Sequence, residues 1–214
     1  MTQKWIWSVL LLAALGVAAC SQAGADGPAA PSVPGKPTPT TAPVTDQQLS
    51  NAAVADFAAG CFWGSEGTFR KVPGVIATEV GFEGGHTPHP TYEDVCTDRT
   101  GYAETVRVFY DPAKVTYHKL VDVFFENHDP TTADRQGPDV GTQYRSVIFY
   151  HTPEQRKVAE ADKAQRDASG QYVGPIVTEV VPATGYYRAE EYHQDYFAKQ
   201  GEDYVCHLGN GKKS

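Results

Sequence analysis

An α+β fold, with one mixed sheet covered by helices, is the architecture this sequence predicts. Segments of strand character are interleaved with helix-like segments, but without the regular alternation of a doubly wound nucleotide-binding sheet. The stretch from Asn51 to Ser214 has the length of one domain around a single core. It holds no internal repeat, no P-loop and no dinucleotide-type glycine pattern.

Taken in order, Val54–Ala59 reads as a short strand and Ser65–Lys71 as the one or two helical turns that follow. Val75–Gly81 has the branched composition of a strand. Gly84-Gly85 and the Pro88 to Pro90 stretch make a loop, with a short helix over Tyr92–Thr97. Glu104–Tyr110 alternates as a strand and is stopped by Asp111-Pro112. Thr116 is placed to cap a helix with Leu120, Val121, Phe124 and Phe125 on its inner face. Tyr144–Tyr150 is the next strand, and Thr152-Pro153 opens a polar helix that runs to about Ala168. Ile176–Val181 is the last strand and Ala189–Lys199 the last helix, ahead of a polar, glycine-rich tail.

The front of the chain is not part of that domain. Met1–Ala19 carries one early lysine, Lys4, then an apolar run ending in small residues, the pattern of an export signal too short to span a membrane. Cys20 follows Val17-Ala18-Ala19 directly and so resembles the acylated first residue of a bacterial lipoprotein. Residues 20–50 are rich in Pro, Ala and Thr, with too little apolar surface to fold, and are expected to form a tether about 30 Å long as a coil. A net charge of −8 leaves no basic stripe for nucleic acid. Once Cys20 is set aside three cysteines are left, Cys61, Cys96 and Cys206, so at least one thiol has no partner within the chain.

Chemistry concentrates in Gly60-Cys61-Phe62-Trp63-Gly64. This run sets a cysteine at a strand-to-helix junction, where unpaired backbone N–H groups and the helix dipole favour the thiolate. The flanking glycines are expected to let another molecule approach the sulfur. Burial as an inert small hydrophobe is the commoner fate of a cysteine. The contiguous Phe62 and Trp63 favour reactivity instead, as an apolar cup for a small group beside the sulfur.

At this point the sequence resembles the A-type peptide methionine sulfoxide reductases. Besides Gly60–Gly64, matching blocks stand in order at Thr87–Cys96, Thr100–Glu104, Phe125–Thr131, Arg135–Ser146 and Glu191–Tyr196, within a resemblance from about Val54 to Cys206. It implies a two-layer sandwich around a ferredoxin-like core and a catalytic domain over 51–214. It also implies the reaction, thiol-dependent reduction of methionine S-sulfoxide, free or in peptides and proteins. Cys61 is then the nucleophile and Glu104 the acid. Tyr92 and Tyr144 are the phenols on the sulfoxide oxygen, Asp139 a carboxylate orienting them, and Phe62 and Trp63 the cup for the substrate methyl.

A solvated glutamate is almost fully ionised at pH 7, so this role requires burial to raise the Glu104 pKa. Attack by Cys61 leaves a sulfenic acid, which needs a second thiol. Cys206, in a tail expected to be mobile, is the candidate, and a thioredoxin-like partner would reduce the resulting disulfide. Cys96 is expected to be buried and outside the chemistry, and His128, His193 and Asp195 to be structural hydrogen-bonders. No cofactor and no metal are expected, as no Cys-x-x-Cys or His-x-x-x-His spacing is present. The domain is expected to act as a monomer, exported and in contact with a membrane only through its lipid anchor.

Two features depart from the family pattern. Gly81-Phe82-Glu83-Gly84-Gly85 has Phe82 where a tyrosine is usual, a phenol that could belong to the pocket rim. The tail lacks the usual Asn-Pro and has one cysteine rather than two, so a one-step relay is expected. Two rival readings stay open on sequence alone. A cysteine hydrolase would need a histidine base that no spacing supplies, and a non-catalytic exported module would use Cys61 and Cys206 as a structural disulfide.

Overall fold

The computed structural model describes residues 45–200 and 211–212. The export signal 1–19, Cys20, the tether as far as residue 44 and Cys206 lie outside the described residues. The last five residues assigned to the tether belong to the ordered fold instead. They form α1 (Asp46–Ser50), capped by Thr45, whose side chain accepts from Gln48 N in a reciprocal capping box.

Six strands form one mixed sheet. They are β1 (Ala53–Ala59), β2 (Val75–Glu83), β3 (Ala103–Tyr110), β6 (Ser146–Tyr150), β7 (Glu179–Pro182) and β8 (Tyr187–Arg188), in the spatial order β7-β6-β1-β3-β2-β8. All pairings are antiparallel except β6 with β7. With helices α2 (Phe62–Phe69) after β1 and α4 (Tyr117–Glu126) after β3, the central order β6-β1-β3-β2 is the split βαβ arrangement of a ferredoxin-like core. A two-stranded ribbon, β4 (Arg135–Gln136) with β5 (Asp139–Val140), stands apart from this sheet.

Strand alternation explains the two faces. Phe57 points into the helix layer, where its ring stacks on Phe69 at 4.9 Å and on Phe124 at 5.5 Å between centroids. Leu120, Val121, Phe124 and Phe125 are all buried there, as the spacing of α4 predicts. Asp56, one residue earlier, faces the opposite side and is fully buried against Arg107 (Nη2 to Oδ2, 2.7 Å) and His151 (2.9 Å). Tyr186 covers that face, with the Arg107 guanidinium 3.9 Å from its ring centre. Helix α5 (Pro153–Ala168) begins where Thr152-Pro153 predicts, with Gln155 N donating to the Thr152 hydroxyl at 3.2 Å.

Three boundaries differ from the sequence expectation, each for a local reason. Tyr144 sits in a 3-10 turn, Thr142–Tyr144, after Gly141 at φ 147°, and β6 starts only at Ser146. The strand expected from Ile176 starts at Glu179, because Val177 N donates to Pro130 O and the Thr178 carbonyl accepts from Lys163, away from β6. The helix expected over Ala189–Lys199 is confined to α6 (Tyr196–Gln200). Before it, the Gln194 amide bonds both backbone groups of Val80 and the Ala189 carbonyl, and Asp195 turns left-handed at φ 54°.

Candidate active site

Cys61 is the N-cap of α2, so Phe62 and Trp63 form the first helical turn rather than precede it. Gly60 is required by its left-handed φ of 83° and by Gln136, whose Cγ would lie 2.5 Å from an added Cβ. Cys61 is half-buried and Phe62, the next residue, is fully buried.

Glu104 comes from β3, in register with Phe82 of β2, and is 2% exposed. Its Oε2 accepts from the backbone N–H of Phe62 at 3.0 Å, which fixes the carboxyl at the residue following Cys61. Burial pushes its pKa up to about 8, with the nearby Asp139 carboxylate adding to the rise and the Phe62 N–H opposing it. Glu104 is therefore largely protonated at neutral pH, the state a proton donor needs.

Tyr92 opens α3 (Tyr92–Cys96), a five-residue helix capped by Thr91, and Tyr144 ends the 3-10 turn. Burial, followed by the proximity of Glu104, holds both phenols well above the ordinary tyrosine range. Asp139 and Cys61 act on Tyr144 in the same direction. Both rings are thus neutral donors near one carboxyl, and Asp139, on β5, is close enough to act on both Glu104 and Tyr144.

The apolar side of the site is an aromatic stack. Phe62 lies 6.1 Å from Trp63, 6.3 Å from Tyr92 and 5.9 Å from Phe82, ring centre to ring centre. Tyr196 stacks on Trp63 at 4.0 Å and 11°. Phe82, where the family usually has a tyrosine, is fully buried and packs into this stack.

His193 is 1% exposed and holds the stack in place. The Trp63 indole N–H donates to its Nδ1 at 3.2 Å, which leaves the ring proton on Nε2. Burial lowers its pKa, keeping the ring neutral. Glu190 accepts from Tyr92 N at 3.2 Å, and its other oxygen lies 3.9 Å from His193 Nε2. His128 is equally buried but lies elsewhere, donating from Nδ1 to Phe124 O and accepting from Ser146 at Nε2, both at 2.7 Å. Both histidines are thus structural hydrogen-bonders. Asp195 pairs with Arg70, and its backbone N–H donates to Glu66 at 2.9 Å.

Cys96 departs from expectation. It is exposed rather than buried, because α3 is a short surface helix that buries only Val95. Glu190, Gln194, Glu66 and Tyr196 also shape the site, and sequence reasoning singled out none of them. Their presence in or beside the Glu191–Tyr196 block is the signal that could have pointed to three of them.

The geometry agrees with what the chain is similar to. Residues 53–214 match the family model described as peptide methionine sulfoxide reductase. The peptide methionine sulfoxide reductase MsrA of Methanoculleus marisnigri is 61% identical over 147 residues, 69% of this chain and 90% of that protein. The one from Acidobacterium capsulatum is 53% identical over 156 residues, 73% of this chain and 99% of that protein. Among solved structures, methionine sulfoxide reductase A of Corynebacterium diphtheriae aligns with TM-score 0.65 and 40% identity, over 77% of this chain and 84% of that one. The reduced form of Mxr1 from Saccharomyces cerevisiae aligns with TM-score 0.66 and 37% identity, over 73% and 90%. The chain, with its buried acid and aromatic cup beside a helix-capping cysteine, belongs to the peptide methionine sulfoxide reductase family and is an oxidoreductase of that kind.

Proposed function

We propose that this chain reduces the S epimer of methionine sulfoxide, free or in proteins, with Cys61 as nucleophile, and that it repairs oxidised exported proteins. The observation that carries the reading is the hydrogen bond from Phe62 N–H to the buried, protonated Glu104, which sets an acid beside the cysteine.

The Cys61 thiolate attacks the sulfoxide sulfur while Glu104 protonates the oxygen and Tyr92 and Tyr144 hydrogen-bond it. Asp139 orients these donors, and Phe62 and Trp63 hold the methyl group. The new bond between the Cys61 sulfur and the substrate sulfur then breaks as the protonated oxygen passes to the Cys61 sulfur, so the substrate gains two electrons and leaves as methionine and Cys61 is left as a sulfenic acid. Cys206 then attacks that sulfur, releasing water and forming a Cys61–Cys206 disulfide, which a thioredoxin-like dithiol reduces by exchange. Acylation at Cys20 after removal of residues 1–19 anchors the mature chain to a membrane, with residues 20–44 spacing the domain from it.

The test is turnover of separated S and R sulfoxide epimers with dithiothreitol. S-selective reduction that is lost in Cys61→Ser and kept in Cys206→Ser is the expected result, since a chemical reductant bypasses the resolving thiol. Equal reduction of both epimers, or full activity in Cys61→Ser, contradicts it.

A further inference from the structure

Side chains that lie outside the chemistry clasp together the two loops that carry the oxygen-binding groups. Asp98 stands between α3, which begins at Tyr92, and β3, which carries Glu104. Its backbone is left-handed at φ 61°, a conformation that side chains disfavour, though Asp tolerates it better than most. Its Oδ1 accepts two hydrogen bonds from Thr142, one from the backbone N–H at 2.9 Å and one from the hydroxyl. Thr142 opens the 3-10 turn that ends in Tyr144.

A second brace runs the other way. Arg145, adjacent to Tyr144, donates from Nη1 to the Thr142 carbonyl at 2.9 Å and from Nη2 to the Gly101 carbonyl at 3.1 Å. Gly101 is three residues before Glu104, and it too is left-handed, at φ 73°. Segments 44 residues apart in the chain are therefore tied at both ends of the loop leading into Glu104.

We propose that Asp98 is a positioning residue. Through Thr142 it sets the Tyr144 phenol against the Glu104 carboxyl, and so governs the rate at which the sulfoxide oxygen is protonated. The inference rests on reading Tyr144 and Glu104 as the groups that hold and protonate that oxygen. Asp98 is exposed, so removing its side chain leaves no buried void. Its left-handed backbone lets glycine take its place without strain, which offsets part of the cost of the lost hydrogen bonds. A merely structural Asp98 would then show in melting temperature and not in kcat, whereas a positioning Asp98 shows in kcat.

The experiment measures kcat, KM and melting temperature of the full chain with dithiothreitol as reductant. The variants are Asp98→Gly, Asp98→Asn, Tyr144→Phe and the double variant Asp98→Gly with Tyr144→Phe. Misplacement of a reacting group costs rate more than binding, so Asp98→Gly is expected to lower kcat about tenfold with little change in melting temperature. Asn keeps both the acceptor and the tolerance of a left-handed backbone, and should restore most of the rate. If the clasp acts through Tyr144 the two effects are not additive, and Asp98→Gly should cost less than about twofold in the Tyr144→Phe background. Wild-type kcat in Asp98→Gly, no rescue by Asn, or full additivity overturns the proposal. Slow turnover of Tyr144→Phe beside fast turnover of Asp98→Gly removes the clasp alone. Wild-type turnover of Tyr144→Phe removes the reading of the site, and the clasp with it.

Discussion

Glu104 accepts its hydrogen bond from the backbone N–H of Phe62, the residue next to Cys61, at 3.0 Å. That bond uses one of the open donors at the start of α2 to hold an acid rather than a solvent molecule. It also opposes the rise in pKa that burial imposes, so that Glu104 settles at about 8.

The rate should follow the protonated form of Glu104. As pH rises through about 8 the acid is lost, so kcat/KM, which follows the free enzyme, is expected to fall on the alkaline side with a midpoint near that value. Glu104→Gln cannot give up a proton, and should lose most of the turnover together with this alkaline limb. A pH profile of kcat/KM for both proteins checks the prediction.

The same shift has a consequence for stability with the opposite sign from an ordinary ion-paired carboxylate. The folded chain keeps the Glu104 proton up to about pH 8, while the unfolded chain loses it near the ordinary value of 4.5. The stabilisation is therefore fully present below about pH 4.5 and lost as pH rises towards 8. Glu104→Gln mimics the protonated state at every pH. Relative to pH 4, it should gain up to about 3 kcal/mol over wild type at pH 7, at about 1.36 kcal/mol per pH unit. Denaturant unfolding of the two proteins at both pH values measures this.

Gln194 replaces a strand partner with a side chain. Its amide accepts from Val80 N at 2.9 Å and donates to Val80 O at 2.8 Å and Ala189 O at 2.9 Å, all in the buried interior. Gln194→Leu leaves the Val80 N–H without its acceptor and should cost about 1–3 kcal/mol. A fall in melting temperature with wild-type stereoselectivity is the expected outcome.

Trp63 depends on a neutral His193 for its indole N–H. Replacing His193 with leucine keeps most of the apolar volume but leaves a partly buried donor unpaired, at a cost of about 1–3 kcal/mol. Since Trp63 is read as part of the methyl cup, KM for the sulfoxide should rise more than kcat falls. Steady-state kinetics with a fixed reductant separates the two.

Much of this was legible in the sequence because the relevant signals are local. Thr152-Pro153 marks the start of α5, the spacing of Leu120, Val121, Phe124 and Phe125 marks the inner face of α4, and the Gly60–Gly64 run marks the strand-to-helix junction that holds Cys61. What escaped is set by contacts between distant segments. The expected helix over Ala189–Lys199 is interrupted because Gln194 bonds to Val80, 114 residues away. Cys96 has the composition of a core position, yet the shortness of α3 leaves it at the surface. Asp98 carries no sequence signal of its own, and only the position of Thr142 reveals what its carboxylate holds.

The most direct test of the central claim is a single turnover without reductant. Reduced enzyme carrying Cys206→Ser is mixed with excess methionine S-sulfoxide, methionine release is counted, and a dimedone-type reagent traps any sulfenic acid. The account predicts one methionine per chain and the trapped label on Cys61. No methionine release, or a label on Cys96 in place of Cys61, would contradict it.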